Sequence, residues 1–464
     1  MKTIIWLWIA VSIFTGCAVG PDYKRPAIKA PAAFRGETNA ATTSFADLPW
    51  WEIFHDKTLQ RLIHVALTNN YDLRVAATRV EQARAILEQN RAEFFPQVNY
   101  QGGAGRGKNS ANGVASFNSG KTSSFFMAAG SASWEIDLWG RIRRLNESAR
   151  AQYFASREAR RDVLISVIGD VAQDYFQLVA LDLQRQVAER ATNAFSESLR
   201  IFRQRLQGGV SSRLETASAE AAEAAAAAMI PDLDRQIALQ ENALSVLLGE
   251  NPAPVPRDDA VLEHFSARDV PAGIPSALLR RRPDIRQAEQ LLRSANASVG
   301  VAVADFFPRL SLTSLFGQVS PELSAFTAGG ANAWSVAANL AGPLFHGGEL
   351  RGQYHQAKAA REQASLQYQA AVLNSFREVS DALISRQKFG EASAQQARAV
   401  KAYEEAVQVV VERYRIGQSS YYEVLQEQQL YFPAANTLIQ VGLNQLLSVV
   451  QLYRALGGGW EEKP

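Results

Sequence analysis

The sequence predicts an α+β membrane protein built from an internal repeat, with two pairs of short strands set between long helices. Three observations predict it. The phrase AEFFPQV at 92–98 returns as ADFFPRL at 304–310, about 212 positions later, each time where a helical pattern gives way to an alternating one. Four stretches of roughly 9 to 13 residues alternate apolar with polar side chains, the length a tilted strand needs to cross an outer membrane. Two further runs, Arg141 to Leu206 and Glu349 to Arg415, each hold about 66 residues without proline.

A repeat of this length marks a duplicated structural unit. NYDLRVAATRVEQARAILEQNRAEFFPQVNY at 70–100 parallels RPDIRQAEQLLRSANASVGVAVADFFPRLSL at 282–312, with Asp72 opposite Asp284 and Pro96 opposite Pro308. QGGVSSRLETASAE at 207–220 likewise matches IGQSSYYEVLQEQQ at 416–429, and GENPAPVPRDD at 249–259 is a proline-rich joint between the halves. The first repeat therefore covers 58–248, with strands at about 96–106 and 124–138. A connector over 249–275 leads to the second repeat over 276–456, with strands at about 308–318 and 332–344, and 457–464 form a tail.

The strands carry the case for a membrane. Val98 and Tyr100 alternate with Gln97, Asn99 and Gln101, while Phe126, Ala128, Ala132, Trp134, Ile136 and Leu138 share a face that Glu135 and Asp137 avoid. Leu310 and Leu312 alternate with Arg309, Ser311 and Thr313, and Trp334, Val336, Ala338 and Leu340 with Ser335, Ala337 and Asn339. One face suits lipid and the other water, although an ordinary half-buried soluble sheet alternates in the same way. The polar segments GKNSANGVASFNSGK and GQVSPELSAFTAGG between partners read as exposed hairpin loops.

In hydrocarbon, an open four-stranded sheet leaves its edge N–H and C=O groups unpaired at several kcal/mol each, so several chains must close one barrel. Two chains would give eight strands around a filled interior, and three would give twelve with room for a channel. At each FFP the proline ends a helix. The aromatics Phe94, Phe95, Phe306 and Phe307, with Trp139 and Phe345 at the return crossings, then suit the bilayer interface.

The rest of the chain reads as helix. At 1.5 Å per residue each proline-free run would extend roughly 100 Å, and 58–92 laid end to end with 213–248 would match it, as antiparallel coiled-coil packing requires. Val163, Val167, Val171 and Tyr175 recur every fourth residue as a packing stripe, and AEAAEAAAAAM at 219–229 offers small side chains for close helix approach. Pro231 predicts a kink. Two tight turns join long to short helices: Gly208 and Gly209, or Gly417, close one helix, and Ser212 with Glu215, or Ser420 with Glu423, open the next as capping boxes.

The N-terminus MKTIIWLWIAVSIFTGCAVG sets the address. Lys2 and an apolar core from Ile4 to Phe14 form a signal peptide over 1–16, too short to span a bilayer. Thr15 and Gly16 before Cys17 resemble a bacterial lipobox, with Phe14 where Leu is usual. Cys17, the single cysteine, is the expected lipid attachment point, heading an extended segment over 17–57, and Ala18 after it suggests sorting to the outer membrane. Beyond this segment no stretch approaches the roughly 18 apolar residues of a membrane-spanning helix. A net charge of +2 offers no field for nucleic acid.

No catalytic set emerges. GGAGRG at 102–107 lies in a strand-loop setting unlike a phosphate cradle, and His55, His64, His264, His346 and His355 lack metal-ligand spacing. The expectation is a non-enzymatic protein with no metal and no cofactor beyond the covalent lipid on Cys17.

CAVGPDYKRP, WWEIFHDKTLQRLIHVALTNNYDLRVA, LLRRRPDIRQAEQLLRSANASVGVAVADFFPRLSL and RYRIGQSSYYEVLQEQQL together resemble the outer-membrane factor family of the TolC and OprM type, over nearly the whole mature chain. The resemblance implies a homotrimer in which a twelve-stranded β-barrel continues into a long periplasmic α-helical barrel. It also implies a passive duct for small molecules such as drugs. Its partners would be a periplasmic adaptor (membrane fusion protein), an inner-membrane transporter and outer-membrane lipid. Tyr414 matches the Tyr-x-x-Gly turn of the family's closed inner mouth, and Glu423 falls where TolC-type members place a pore-facing Asp, so symmetry-related carboxylates could constrict the pore or serve as caps alone. Gln426 stands where the TolC pattern has a second Asp, and Ser419 where OprM-like members carry Asp, so this gate is less acidic. Gly208, Gly209, Ser212, Glu215, Gly417 and Ser420 are the tip and adaptor-contact candidates, with Arg203, Arg205, Arg413 and Arg415 close by. A trimeric lipid-anchored coiled-coil scaffold or adhesin without a pore is the alternative; it accounts for the helices and leaves the strands without a purpose.

Overall fold

The computed structural model describes residues 18–36, 56–108, 122–257, 275–327 and 329–458. The signal peptide, Cys17, His55, His264, most of the first hairpin loop and connector, and the end of the tail lie outside the described residues. In chain order the elements are α1 (Lys57–Asn69), α2 (Tyr71–Ala92), β1 (Gln97–Lys108), β2 (Thr122–Ile136), α3 (Arg141–Gln207) and α4 (Arg213–Leu248). There follow α5 (Pro275–Arg281), α6 (Pro283–Ala304), β3 (Arg309–Ser320), β4 (Asn332–Ala341), α7 (Glu349–Arg415) and α8 (Tyr421–Ala455). They fall into two compact units, one drawn from Met1–Ala27, Arg79–Arg157 and Gln287–Tyr368, the other from the remainder.

The first unit holds a single antiparallel sheet in the order β1-β2-β3-β4. Its register puts Val98 opposite Ala132, Ala132 opposite Ser314, and Ser314 opposite Val336. Because side chains alternate along every strand, one face collects Val98, Tyr100, Phe126, Trp134, Ile136, Leu310, Leu312, Phe316, Trp334, Val336 and Leu340. Tyr100, Phe316, Trp334, Val336 and Leu340 on this face are largely exposed, so nothing among the described residues covers them. The opposite face carries Gln97, Asn99, Gln101, Ser131, Ser133, Ser311, Thr313, Ser335 and Asn339.

The glycines of GGAGRG acquire a reason here. A Cβ on Gly105 would stand 2.5 Å from the Phe125 ring and one on Gly103 3.5 Å from it, so the ring lies over bare backbone on the polar face.

Two strands end earlier than the alternation suggests. β2 stops at Ile136 because the Asp137 carboxylate turns to cap α3, accepting from the backbone N–H groups of Ile142 and Arg143 at 3.0 and 2.9 Å. β4 stops at Ala341, two residues before Pro343, which has no N–H to extend a ladder.

The second unit is helical. Its main core packs Val167, Val171 and Tyr175 of α3 with Leu59 and Ile63 of α1, Leu244 of α4, Val379 of α7 and Leu443 of α8. Tyr175 donates to Asp56 at 2.8 Å, and the other Asp56 oxygen caps α1 through the N–H groups of Thr58 and Leu59. α3 contains one 18-residue window apolar enough to cross a bilayer, contrary to the composition reading. The buried stripe from Val167 to Tyr175 explains that window as core packing. α4 runs helical through Pro231, and of its alanine-rich stretch Ala219 and Ala226 face the core.

The expected single helix over 58–92 is two helices, α1 and α2, broken at Asn70, and its repeat counterpart is broken at Arg282 between α5 and α6. Asn70 is buried; its side-chain oxygen accepts from Leu73 N–H at 3.0 Å, and its amide donates to the Leu247 carbonyl at 2.9 Å. Gly249 then closes α4 at φ +72°, with the Val246 and Ser245 carbonyls accepting from Gly249 and Glu250. The second copy repeats this closure at Gly457, where a Cβ would meet Arg282 at 3.0 Å.

Near Arg282, burial raises the Asp162 carboxyl above its ordinary value, and the charge of Asp284 adds to the effect. An acid whose pKa is raised on folding costs stability once ionised, so the cost is present above the folded pKa and disappears below the unfolded value. Asp162→Asn is accordingly expected to raise the melting temperature at pH 7, with the gain vanishing below about pH 4. Thermal unfolding monitored by circular dichroism at both pH values checks this; equal gains at both would refute it.

Candidate functional site

The two interhelical turns are built alike. At the first, the Val210 N–H donates to the Arg205 carbonyl at 2.9 Å and Gly209 to Leu206 at 3.0 Å; at the second, Gln418 donates to Arg413 at 2.8 Å and Gly417 to Tyr414 at 3.0 Å. This double bond pattern requires a left-handed residue, supplied by Gly209 at φ +72° and Gly417 at φ +77°, while Gly208 keeps negative φ. Each following helix opens with a complete capping box: Ser212 with Glu215 on α4, Ser420 with Glu423 on α8.

These boxes commit both carboxylates. Glu215 accepts from Ser212 N–H at 2.8 Å and Ser211 Oγ at 2.7 Å. Glu423 accepts from Ser419 Oγ, from Ser420 N–H at 3.1 Å and from Ser420 Oγ at 2.9 Å. The Ser419 hydroxyl first, then the Ser420 backbone, holds the Glu423 carboxyl below the usual range. Gln426 is exposed one turn further along α8.

Tyr414 joins the turns. Arg205 of α3 donates to its hydroxyl at 2.7 Å and lies 5.7 Å over its ring, and that ring meets Tyr421 edge-on at 5.2 Å. Tyr421 in turn contacts Phe202 at 4.4 Å. Sequence reasoning noted both Arg205 and Tyr414 without pairing them, because they stand 209 positions apart. The neighbouring arginines are satisfied locally: Arg203 with Glu220 at 3.2 Å and Arg415 with Glu412 at 2.8 Å. Val210, Leu214, Ile416 and Tyr422 leave large apolar side chains in solvent around the turns.

In the first unit the expected interface aromatics behave in two ways. Phe94, Phe95, Phe306 and Phe345 are exposed. Trp139 stacks on Phe307 at 4.7 Å and donates to the Pro308 carbonyl at 2.8 Å, tying the exit of β2 to the entry of β3.

The N-terminal segment beside them was expected as an extended stretch, but its contacts escaped sequence reasoning. Val19 N–H donates to the Trp139 carbonyl at 2.9 Å, Arg144 reaches Asp22 at 2.7 Å, and Asn296 donates to the Pro21 carbonyl at 2.8 Å. Further along, Arg25 pairs with Glu289 at 2.8 Å, and burial followed by the Glu289 charge pushes the Tyr23 phenol up to about 12. Among the described residues no group of three or more His, Cys, Asp or Glu side chains converges as a metal site.

Comparison with known proteins places this geometry. The outer membrane efflux protein family matches residues 62–250 and 274–458, one match per repeat. Toluene efflux pump outer membrane protein TtgC of Pseudomonas putida is 36% identical, covering 100% of this chain and 96% of that protein. Cation efflux system protein CusC of Escherichia coli is 33% identical, over 97% of each chain. The solved structure of the outer-membrane channel OprN superposes with a TM-score of 0.88 at 32% identity, covering 96% of this chain and 100% of that one. With both halves matched, and matched at full length by channel proteins of the outer membrane, the chain belongs to the outer membrane efflux protein family and serves as an outer-membrane efflux channel of TolC-like fold.

Proposed function

We propose that three copies of the chain close a twelve-stranded barrel in the outer membrane and form a passive, non-catalytic duct that carries small molecules outward from an inner-membrane pump. The observation that carries this reading is the four-stranded sheet, whose edges at β1 and β4 have no strand partner among the described residues and whose one face carries an apolar band. Free edges in lipid demand partners, and neighbouring copies supply them without a new fold. A pore-free scaffold would have no use for such a sheet. The turns at 208–212 and 417–420, with exposed Val210, Leu214, Ile416 and Tyr422 around them, suit docking of a periplasmic adaptor. The Arg205–Tyr414–Tyr421 cluster suits a gate that holds the inner mouth shut. Cargo selection belongs to the pump, since a wide aqueous passage offers few selective contacts.

The test is electrical. Purified protein with the mass of three chains is expected to give discrete ion currents in planar bilayers; silence from both the native chain and gate-loosened variants would overturn the reading. Export also places an acyl lipid on Cys17. Incorporation of labelled fatty acid should vanish completely in Cys17→Ser, and persistent label would remove the anchor from the scheme.

A further inference from the structure

The strand register makes an assignment beyond the channel itself. Arg106 and Lys108 stand two and four residues after Ala104 on β1, so they lie on the face of Val98 and Tyr100 and not on the polar face. Their cross-strand neighbours are Ser124 and Thr122. On β2 the apolar face runs from Ile136 to Phe126, about ten residue steps; at about 3.3 Å each and roughly 40° of tilt this covers about 25 Å, the height of a barrel's lipid-facing band.

Toward the hairpin-loop end the same face turns polar on each of these strands: Ser124 and Thr122 follow beyond Phe126 on β2, Gln318 and Ser320 follow Phe316 on β3, and Asn332 precedes Trp334 on β4. The two cations therefore stand on the rim of the band, pointing outward. The rim is at the hairpin-loop end, opposite the end where α2, α3, α6 and α7 join the strands. Both side chains are exposed, and neither has an ion-pair partner among the described residues.

We infer that Arg106 and Lys108 bind the phosphate groups of the phosphorylated glycolipid that forms the outer leaflet of this membrane. This rests on the channel reading, which puts the helices in the periplasm and the hairpin loops outside. At that depth an outward cation meets the boundary between acyl chains and head groups, where sugar-linked phosphates lie. The guanidinium offers a planar fork to two phosphate oxygens, and the ammonium adds a point charge beside it. Their facing excludes a role in drawing anions into the pore.

The test uses full-length protein in mild detergent, titrated with bis-phosphorylated lipid A, its dephosphorylated form, and phosphatidylglycerol, with bound lipid read by native mass spectrometry. Native protein should bind bis-phosphorylated lipid A about tenfold more tightly than either comparator, and Arg106→Ser/Lys108→Ser should erase that preference. Lys358→Ser, a basic residue exposed on α7, should leave it intact. Equal binding by the double variant, or equal affinity for phosphatidylglycerol, overturns the inference. Planar-bilayer current from the native preparation and from Tyr414→Ala separates the two failures: current with no lipid preference sinks this site alone, whereas silence from both sinks the channel reading.

Discussion

Replacing Arg282 by alanine is expected to cost about 3–5 kcal/mol, the range for removing one partner of a buried, hydrogen-bonded charge network. The guanidinium is 9% exposed and fully engaged: it meets Asp284 at 2.9 and 2.7 Å, Glu378 at 2.7 Å and the Ala455 carbonyl at 2.8 Å. Burial works against its charge, but these bonds outweigh it and raise the pKa. Alanine would leave two carboxylates and a carbonyl facing one another beside Asp162, whose ionisation is already disfavoured. Arg377→Ala, which removes an exposed pair with Asp381, should cost less than about 1 kcal/mol and serves as the control. Chemical denaturation of both variants checks this; equal losses would mean that Arg282 is not the keystone of the α5–α6 break.

Tyr414→Ala is expected to raise single-channel current several-fold while leaving the assembly intact. The substitution removes the bond from Arg205 at 2.7 Å, the cation–ring contact at 5.7 Å and the edge contact with Tyr421 at 5.2 Å, all at one turn. Tyr421 would then keep a buried hydroxyl that already has no hydrogen-bond partner among the described residues. Burial first, then Tyr414 and Glu197, keep that hydroxyl protonated well above its usual range. Tyr414→Phe separates the contributions: it keeps the ring and loses the Arg205 bond. Current at the alanine level in Tyr414→Phe assigns the latch to the hydrogen bond, and native current assigns it to packing. Native current in Tyr414→Ala as well would remove Tyr414 from the gate.

Local features were legible in the sequence and distant ones were not. The capping boxes at Ser212 and Ser420 could be read directly because cap and partner lie three residues apart. Strand alternation was equally plain, since period two is written in neighbouring letters. The breaks at Asn70 and Arg282 were masked by helical periodicity that continues on both sides. A signal did exist: Pro283 suits the first position of a helix, and transferring it through the repeat marks Tyr71 as a start. The Arg205–Tyr414 contact and the bonds from residues 19–25 join positions more than a hundred residues apart, for which one chain carries no local trace. The strand-loop setting of GGAGRG argued against a phosphate cradle but gave no other use for its glycines; the Phe125 ring over Gly103 and Gly105 is what they accommodate.

The fastening of Val19 to Trp139 has a mechanical corollary. On the lipidation proposed above, a fatty chain on Cys17 would have a leash of two residues, about 7 Å, from Val19. So short a tether would not let the grease wander across the bilayer; it would act as a depth gauge, setting how far the barrel sinks.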